Sequence, residues 1–317
     1  MTTLLIILSI GLAIYLLLRW NVHQIKRLPR PYSFEELSQD PLGTEVMIEG
    51  HDGNLIRAIS AGEGPTIVLA HGYGVSLKEW NLIANQLVQE GYRIIAFDQR
   101  GHSGSTTGSE GIGSQQMAAA YKSVLEHFDV RDGILIGHSM GGFLSYVFML
   151  TYPEVVEQRL DGALIMASFA GDVYRDNVQN KVQLPLIKYG IMTAVAKTQV
   201  LGYPFGRSLL GSQPDAAMIR VFLDVFKTQD HRALLPILSA FGDENYYSRL
   251  GEISIPCTII VGENDHTTPP FHTDEMHEHL RQSKVVRLPE AGHLLNWEAP
   301  DALMQEIRLL ASKQPVG

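Results

Sequence analysis

The segment LIGHSMGG, residues 135–142, places a serine between two glycines. An apolar run, GILI, leads into it, and FLSYVFMLTY, whose composition predicts a helix, follows it. A tight turn from a strand into a helix requires small residues on both sides of the serine and presents the hydroxyl at the edge of a sheet. Ser139 is therefore a candidate nucleophile, and the N–H of Met140 is a candidate donor to an oxyanion. The alternative is a glycine-rich turn in which the serine has no catalytic role.

A serine hydroxyl is a poor nucleophile at neutral pH, so it needs a histidine base that an acid orients. Among twelve histidines, His293 in PEAGHLLNWE follows the last apolar run of the chain. Asp265 in VGENDHTTPP follows the preceding run. The order serine, acid, histidine is typical of nucleophiles at such turns. We predict Ser139, Asp265 and His293 as a catalytic triad, with Glu263 and Asp98 as alternative acids.

The second oxyanion donor is expected from an earlier loop, and HGYG, residues 71–74, directly follows the apolar run TIVLA. Its glycines let the backbone approach a substrate, and the amide of Tyr73 is the predicted donor. We expect the side chain of His71 to fix this loop. The side chain of Tyr73 is predicted to line the substrate pocket together with Phe222 and Phe226.

A cluster of histidines and a single cysteine could suggest a metal site or a reactive thiol, but we predict neither. HTDEMHEH, residues 272–279, contains three histidines, but their spacings of five and two do not place them together on a helix, where neighbours are three or four apart. We interpret this segment as a solvated helix face and predict no metal and no cofactor. Cys257, the only cysteine, is expected to be a buried apolar residue.

Short apolar runs rich in β-branched residues alternate with helical patterns along most of the chain. The runs are typical of strands buried on both faces, and they cover residues 66–72, 93–98, 133–139, 162–168, 257–265 and 284–292. Helices are predicted at 77–91, 115–128 and 299–311, and an antiparallel hairpin turns at 51–53. This alternation predicts an α/β fold with a mostly parallel, doubly wound sheet, in which ligands bind beyond the carboxyl ends of the strands.

One connection is too long for a crossover helix. We predict a helical lid over residues 170–249, inserted into a core formed by residues 42–169 and 250–317. The lid contains apolar side chains that are candidates to line a route from a membrane to the pocket, namely Leu184, Leu186, Ile187, Phe222 and Phe226. Packing within the lid itself would explain each of them equally well.

The first residues differ from the rest. Thr2 to Leu18 carry no charge, and Arg19, Lys26 and Arg27 follow without an acid among them. We predict a membrane anchor helix at 1–20 and a linker at 21–41, with the catalytic part on the cytoplasmic side. A cleaved signal peptide is the alternative, but no basic residue precedes the apolar run and no small-residue cleavage site follows it. The net charge of −9 argues against nucleic acid as a partner.

Over residues 45–317 the chain resembles a serine-type α/β-hydrolase. The motifs that carry this resemblance are HGYG, FDQRGHSGS, GHSMGG, GENDHTTPP and EAGHLLNWEAP. The resemblance implies the α/β-hydrolase fold, the triad and oxyanion donors named above, and no metal or cofactor. Ser139 argues against epoxide hydrolases and haloalkane dehalogenases, which use an aspartate at this position.

Several activities remain compatible with the resemblance. An anchor followed by this core is similar to membrane-bound monoacylglycerol lipases, so we expect hydrolysis of a lipophilic carboxylic ester through an acyl-enzyme. Cofactor-free haloperoxidase-like perhydrolases, C–C bond hydrolases and acyltransferases share the layout. A non-catalytic member that binds a ligand through its lid is a further alternative. Oligomeric state is not predicted.

Overall fold

The computed structural model describes residues 2–27 and 31–312. Within those residues eight strands form one sheet in the order β1-β2-β4-β3-β5-β6-β7-β8. The strands are β1 (Thr44–Glu49), β2 (Leu55–Ala61), β3 (Thr66–Ala70), β4 (Arg93–Phe97), β5 (Gly133–His138), β6 (Leu160–Met166), β7 (Cys257–Gly262) and β8 (Ser283–Leu288).

The sheet is mostly parallel, as predicted. β2 pairs antiparallel with β1 and with β4, and the remaining pairs are parallel. Every residue of the central strands β3 and β5 is buried, which explains their continuous apolar sequences. Each of the six parallel strands ends before the last residue of the apolar run that predicted it. The final residues of each run already belong to a loop at the carboxyl edge of the sheet.

The described residues also form fourteen α-helices, some of which cover the two faces of the sheet. They are α1 (Thr2–Ile25), α2 (Phe34–Leu37), α3 (Asn81–Gln89), α4 (Ser114–His127), α5 (Met140–Thr151), α6 (Pro153–Arg159), α7 (Val178–Lys188), α8 (Ile191–Ala196), α9 (Gln199–Arg207), α10 (Ala216–Phe226), α11 (Leu235–Asp243), α12 (Pro270–His279), α13 (Leu295–Glu298) and α14 (Pro300–Ala311). Alternate residues of β3 pack into two separate apolar clusters: Val68 with α4 and α5, and Ile67 with α3 and α14. The architecture is the α/β-hydrolase fold.

The structure contains the predicted helix and the predicted hairpin turn beside the sheet, but the helix begins later than predicted. The helix predicted at 77–91 begins as a 3-10 turn at Leu77–Trp80 and becomes α-helical only at Asn81. The amide of Leu77, the first residue of this turn, donates to the buried Asp98 carboxylate at 2.9 Å, which satisfies an N–H that has no partner within the helix. The predicted hairpin turn lies between β1 and β2, where Gly53 has a φ of 77°, a conformation that favours glycine.

Five helices, α7 to α11, occupy the long connection between β6 and β7, where a lid over 170–249 was predicted. A short antiparallel bridge between Gly171 and Asn245 joins the two ends of this insertion. Gly171 has a φ of 136°, and a Cβ there would lie 2.4 Å from the carbonyl oxygen of Glu244. Only glycine fits this crossing, so the bridge holds the start and the end of the lid side by side.

The predicted end of the N-terminal helix at residue 20 is wrong. α1 continues to Ile25, since residues 20–25 contain neither glycine nor proline to end it. Val22 and Ile25, three residues apart on one face, are buried, and α1 contacts α9. The last turns of α1 are therefore part of the packed structure and not a linker.

Residues 31–41 of the predicted linker are also packed against the core, and residues 28–30 lie outside the described residues. Ser33 caps α2, accepting a hydrogen bond from the amide of Glu36, and Leu37 is fully buried. The side chain of Asn81 donates to the carbonyl oxygen of Glu36. A short capped helix with one buried leucine thus holds this segment against α3, a detail that proline content alone does not reveal.

Candidate active site

Ser139 lies at the turn from β5 into α5, in a strained conformation with φ 53° and ψ −117°. Its amide donates to the carbonyl oxygen of Met166 at 3.0 Å, which fixes the turn to β6. A Cβ on Gly137 would lie 2.6 Å from the carbonyl oxygen of Gly141, and a Cβ on Gly141 would lie 2.2 Å from that of Ala70. Glycine is needed at both positions because backbone segments cross there. The strained backbone of Ser139 itself is typical of functional positions.

The structure brings the three predicted triad residues together. The Nε2 atom of His293 lies 3.0 Å from the Oγ atom of Ser139, and its Nδ1 atom lies 2.8 Å from Oδ2 of Asp265. All three side chains are buried. Because the carboxylate accepts the proton on Nδ1, Nε2 is free to accept the serine hydroxyl proton.

Asp265 is held by hydrogen bonds that favour its charged form. One oxygen accepts the amides of Thr267 and Thr268 at 2.8 and 2.9 Å, and the other accepts the Thr268 hydroxyl at 2.7 Å. Burial by itself would raise the pKa of this carboxyl, but His293 and the hydrogen bonds from Thr268 outweigh burial and lower the pKa. Asp265 is therefore ionised and oriented toward the imidazole. Sequence reasoning did not identify Thr268.

The two alternative acids have other partners. Glu263 forms a surface ion pair with Arg287 at 2.8 Å. The Asp98 carboxylate accepts the amides of Leu77 and Gly104, at 2.9 and 3.0 Å, and so ties two loops together. Neither acid hydrogen-bonds to His293, so of the three acids Asp265 is the one in position to orient it.

The backbone amides of Tyr73 and Met140, the predicted oxyanion donors, belong to the loop after β3 and to the turn that carries Ser139. Met140 is the first residue of α5, where a helix leaves its N–H groups without internal partners. Among the described residues the Tyr73 amide has no protein acceptor. The loop of Tyr73 is held by His71, whose Nε2 accepts the amide of Gln99 at 2.8 Å and whose Nδ1 donates to the carbonyl oxygen of Gly72. Burial lowers the pKa of His71 to about 3, so it is neutral.

A mostly apolar cavity opens beside Ser139 and His293. Tyr73, Phe222 and Phe226 line it, as predicted, and so do Leu184 and Ile187 of α7. Leu186 packs against the apolar core and does not line the cavity. The cavity thus places apolar lid side chains next to the nucleophile.

The hydroxyl of Tyr73 also reaches the lid. It donates to Nδ1 of His231 at 2.8 Å, and Nε2 of His231 donates to the carbonyl oxygen of Phe226. Burial lowers the pKa of His231, which favours this neutral tautomer. The predicted oxyanion loop is therefore connected to the loop that follows α10.

A buried carboxylate–imidazole pair, not foreseen from the sequence, lies behind the triad. Nδ1 of His138 is 3.1 Å from both carboxylate oxygens of Glu79, and Nε2 of His138 donates to the carbonyl oxygen of His293 at 2.9 Å. Glu79 also accepts the amide of Gly72 at 3.2 Å. One pair of side chains therefore holds both the loop of the base and the loop of the predicted oxyanion donor.

The charge of this pair follows from its geometry. Burial alone would lower the pKa of His138, but the charge and hydrogen bonds of Glu79, together with the carbonyl of His293, outweigh burial and raise the pKa. A raised pKa in the folded state stabilises the fold fully below the pKa of an unfolded histidine, and this contribution is lost as pH rises through the folded value. We therefore expect the pair to stabilise the fold more at pH 5.5 than at pH 9.

Substitutions of Glu79 separate these hydrogen bonds from the charge. Glu79→Gln keeps an oxygen for the Gly72 amide and an N–H for His138, so we expect Ser139 to react with a fluorophosphonate within about tenfold of the wild-type rate. Glu79→Ala removes both contacts, and we expect a free energy of unfolding about 3 kcal/mol lower and a larger loss of reactivity. Urea denaturation and the labelling rate measure both effects. Equal losses in the two variants would contradict this role.

The loop of His293 is also attached to the lid through Glu298. The Glu298 carboxylate accepts the amides of Gly211, Gly292 and Leu294 at 2.6, 3.1 and 3.0 Å. In addition, the His293 amide donates to the carbonyl oxygen of Leu209 at 2.7 Å. The position of the base thus depends on the lid segment that precedes α10.

Residues 272–279 lie in α12, and the prediction of a solvated helix face is wrong for His272 and Met276, which are fully buried. His272 hydrogen-bonds the hydroxyl of Tyr247, and His277 lies 2.7 Å from the hydroxyl of Ser283. Within the part of the chain that the structure describes, no group of three or more histidine, cysteine or acidic side chains is arranged to hold a metal ion.

Comparison with known proteins agrees with this architecture. A sequence model described as the alpha/beta hydrolase family matches residues 67–306. A non-heme haloperoxidase of Rhodococcus erythropolis is 28% identical over 238 residues, which are 72% of this chain and 85% of that protein. An esterase from Exiguobacterium antarcticum superposes with a TM-score of 0.76 at 20% identity, covering 86% of this chain and 100% of that one.

A second solved structure gives a similar result. A bromoperoxidase from Bacillus anthracis superposes with a TM-score of 0.75 at 21% identity and covers 85% of this chain and 100% of that chain. At these identities the superpositions establish the fold alone. The family assignment rests on the match over residues 67–306, which covers most of the chain. This chain belongs to the alpha/beta hydrolase family.

Proposed function

We propose that this protein is a serine hydrolase that cleaves carboxylic esters of a lipophilic acyl group, such as an acylglycerol, through an acyl-enzyme. The observation that carries the proposal is the hydrogen-bonded line from Ser139 through His293 to Asp265, with the serine at the wall of an apolar cavity. A nucleophile, a base and an orienting acid are the parts that acyl transfer requires.

Acylation follows from this geometry. Nε2 of His293 takes the hydroxyl proton of Ser139 as its oxygen attacks the ester carbonyl carbon, and Asp265 stabilises the imidazolium that forms. The amides of Tyr73 and Met140 donate to the oxyanion of the tetrahedral intermediate, and each such donor is worth about 3 kcal/mol of barrier. His293 then protonates the leaving alcohol, and an ester between the acyl group and Ser139 remains.

Deacylation repeats these steps with water. His293 takes a proton from a water molecule, the water oxygen attacks the acyl carbon, and the same amides stabilise the second oxyanion. Collapse of this intermediate releases the carboxylic acid and returns the proton to Ser139. The residues named here supply every proton transfer of the cycle.

The apolar wall of the cavity supports a lipophilic acyl group. Burying each methylene of an acyl chain contributes about 0.8 kcal/mol, so a longer chain gains affinity as long as the cavity accommodates it. Hydrolysis of p-nitrophenyl esters from acetate to palmitate, and of monoacylglycerols, measures this preference. A strict preference for acetate over all longer esters would contradict the proposed substrate class.

Leu184→Trp tests whether the acyl group lies against α7. Leu184 lines the cavity, so the larger side chain is expected to lower kcat/KM for long esters at least about tenfold while changing acetate hydrolysis little. Leu186→Trp is the matched control, because Leu186 lies on the same helix but not at the cavity. Equal effects on short and long esters would place the acyl group elsewhere.

Perhydrolysis is a second candidate, favoured by the similarity to a non-heme haloperoxidase. The same acyl-enzyme can be attacked by hydrogen peroxide instead of water, which yields a peracid and the free serine. Adding hydrogen peroxide to the ester assay distinguishes the two, since a perhydrolase diverts most of the acyl group to the peracid. A hydrolase continues to release the acid.

We also propose that α1 anchors the chain in a membrane, with the catalytic part on the cytoplasmic side. Among the described residues one helix segment, Leu5–Ile25, is long and apolar enough to cross a bilayer. A signal sequence would satisfy the same criteria, but the contacts of Val22 and Ile25 with the rest of the structure favour a retained helix. The basic residues that follow Leu18 support the orientation.

The anchor makes a simple prediction. The protein is expected to stay in the membrane pellet after alkaline carbonate extraction, because a spanning helix is not released by high pH. A variant that lacks residues 1–18 is expected to move to the supernatant. Release of the full-length chain, or a mature protein that begins after α1, would contradict the proposed anchor.

A further inference from the structure

Residues 177–214, which form α7 to α9 and the segment after them, contain no acidic residue, although the chain has 34. They contain four basic residues: Lys181, Lys188, Lys197 and Arg207. The three lysines are exposed, and none of them forms a salt bridge with the residues that the structure describes. In a protein with a net charge of −9, this part of the lid is a local positive surface.

The same surface exposes large apolar side chains. Outside α1, nine large apolar residues of the described chain are exposed, and five of these belong to the lid: Val178, Val182, Tyr189, Ile191 and Leu201. Val178 and Tyr189 are 76% and 75% exposed. This mixture of exposed apolar groups and lysines without acids is typical of helices that lie in a membrane interface.

α7 shows most clearly that this surface faces outward. Val178 and Val182 are four residues apart, and Lys181 and Lys188 are seven apart, so these four exposed side chains share one side of the helix. Leu184 and Ile187 line the cavity instead. A helix with apolar residues on two sides requires two apolar environments, and the cavity supplies only one of them.

The N-terminal helix indicates what covers the outer side. α1 contacts α9, α9 contacts α8, and α8 contacts α7, so the lid helices continue from the end of the candidate span. Lys26 lies at this junction, with Nζ 3.0 Å from Oε1 of Gln199 and 5.0 Å from the ring centre of Tyr203. A bilayer that contains α1 would therefore have its surface next to the lid.

We propose that the outer surface of α7 to α9, here called the lid face, lies in the headgroup region of an anionic phospholipid bilayer. Lys181, Lys188 and Lys197 then contact lipid phosphates, while the five exposed apolar side chains enter the first acyl carbons. The inference does not depend on the ester chemistry. It adds a second membrane contact to the anchor and places α7 between the cavity and the bilayer.

A single-site fluorescent probe on the full-length chain tests this contact. Cys257 is 2% exposed, and burial raises the pKa of its thiol to about 12, so a thiol reagent will label only an introduced cysteine. Tyr189→Cys carries an environment-sensitive NBD probe on the lid face. Leu309→Cys on α14, an exposed leucine on the opposite side of the sheet, is the matched control.

The labelled chains are reconstituted in vesicles of phosphatidylcholine with 30% phosphatidylglycerol and in vesicles of phosphatidylcholine alone. In the anionic vesicles we expect a blue-shifted emission at position 189 and quenching by doxyl-labelled lipid, but neither at position 309. Lys181→Gln/Lys188→Gln/Lys197→Gln is expected to remove more than about half of this quenching. Lys122→Gln/Arg249→Gln/Arg308→Gln, which removes three cations from other surfaces, is expected to leave it unchanged.

Three results would overturn the inference. The first is a probe at position 189 that emits as in water and is not quenched in anionic vesicles. The second is a probe that is exposed in such vesicles but protected in native membranes, which would assign the lid face to a protein partner. Equal effects of the two triple variants would show that net charge, and not the lid face, is responsible.

Discussion

Ser139→Ala is expected to abolish labelling by a fluorophosphonate and to lower ester hydrolysis by roughly 10⁴- to 10⁶-fold. The hydroxyl of Ser139 is the group that His293 can deprotonate, with Nε2 3.0 Å away. Alanine removes the nucleophile while the amides of the predicted oxyanion hole stay in place, so a small residual rate over water is expected. Labelling followed by gel fluorescence, and kcat/KM for an ester substrate, measure the two losses.

Ser168→Ala is the matched control for this variant. Its hydroxyl donates to the carbonyl oxygen of Ser139 at 2.7 Å, so it is buried at the same turn but cannot act as the nucleophile. Labelling is expected to persist in Ser168→Ala. A folded wild-type chain that fails to label would contradict the hydrolase proposal and favour a binding protein, and labelling that persists in Ser139→Ala would assign the nucleophile to another residue.

Asp265→Asn is expected to lower kcat by roughly 10⁴-fold with little change in the fold. One carboxylate oxygen accepts the amides of Thr267 and Thr268, so the asparagine oxygen will occupy that side and its NH₂ group will face His293. An N–H pointing at Nδ1 forces the imidazole proton onto Nε2. In this tautomer His293 cannot accept the proton of Ser139, so attack on the ester is lost.

Glu263→Gln provides the control for Asp265→Asn. Glu263 is the alternative acid from the same loop, and it pairs with Arg287 at the surface, where an ion pair contributes at most about 1 kcal/mol. We expect kcat to change less than about twofold. A large loss in Glu263→Gln together with a small loss in Asp265→Asn would move the role of the acid to Glu263.

The positions of the strands and of the candidate triad were predictable because both leave local signals. Continuous apolar runs such as TIVLA and GILIGH indicate strands that are buried on both faces, and the structure places β3 and β5 there. In a parallel sheet the carboxyl ends of the strands meet at one edge, so polar residues just after these runs are expected to converge. Ser139, Asp265 and His293 meet in this way.

The side chains that hold the candidate triad in place have no such local signal in the sequence. Glu79 precedes a tryptophan in an ordinary amphipathic pattern, and only the fold brings it to His138, 59 positions away. Glu298 resembles any surface acid of a helix, yet it accepts three backbone amides from the lid and the loop of His293. Contacts between distant segments depend on packing and cannot be inferred from local composition.

The end of α1 shows the same limit. The apolar run determined where a membrane helix could begin, but the burial of Val22 and Ile25 depends on α9, which lies far along the chain.

By itself the sequence determined the alternation of strands and helices, the turn around Ser139 and the order of the triad, because these follow from hydrophobic periodicity and from the steric needs of glycine. Only the tertiary structure decided which buried charges hold the triad and which surfaces of the lid are left exposed, because both depend on segments distant in the chain that pack together.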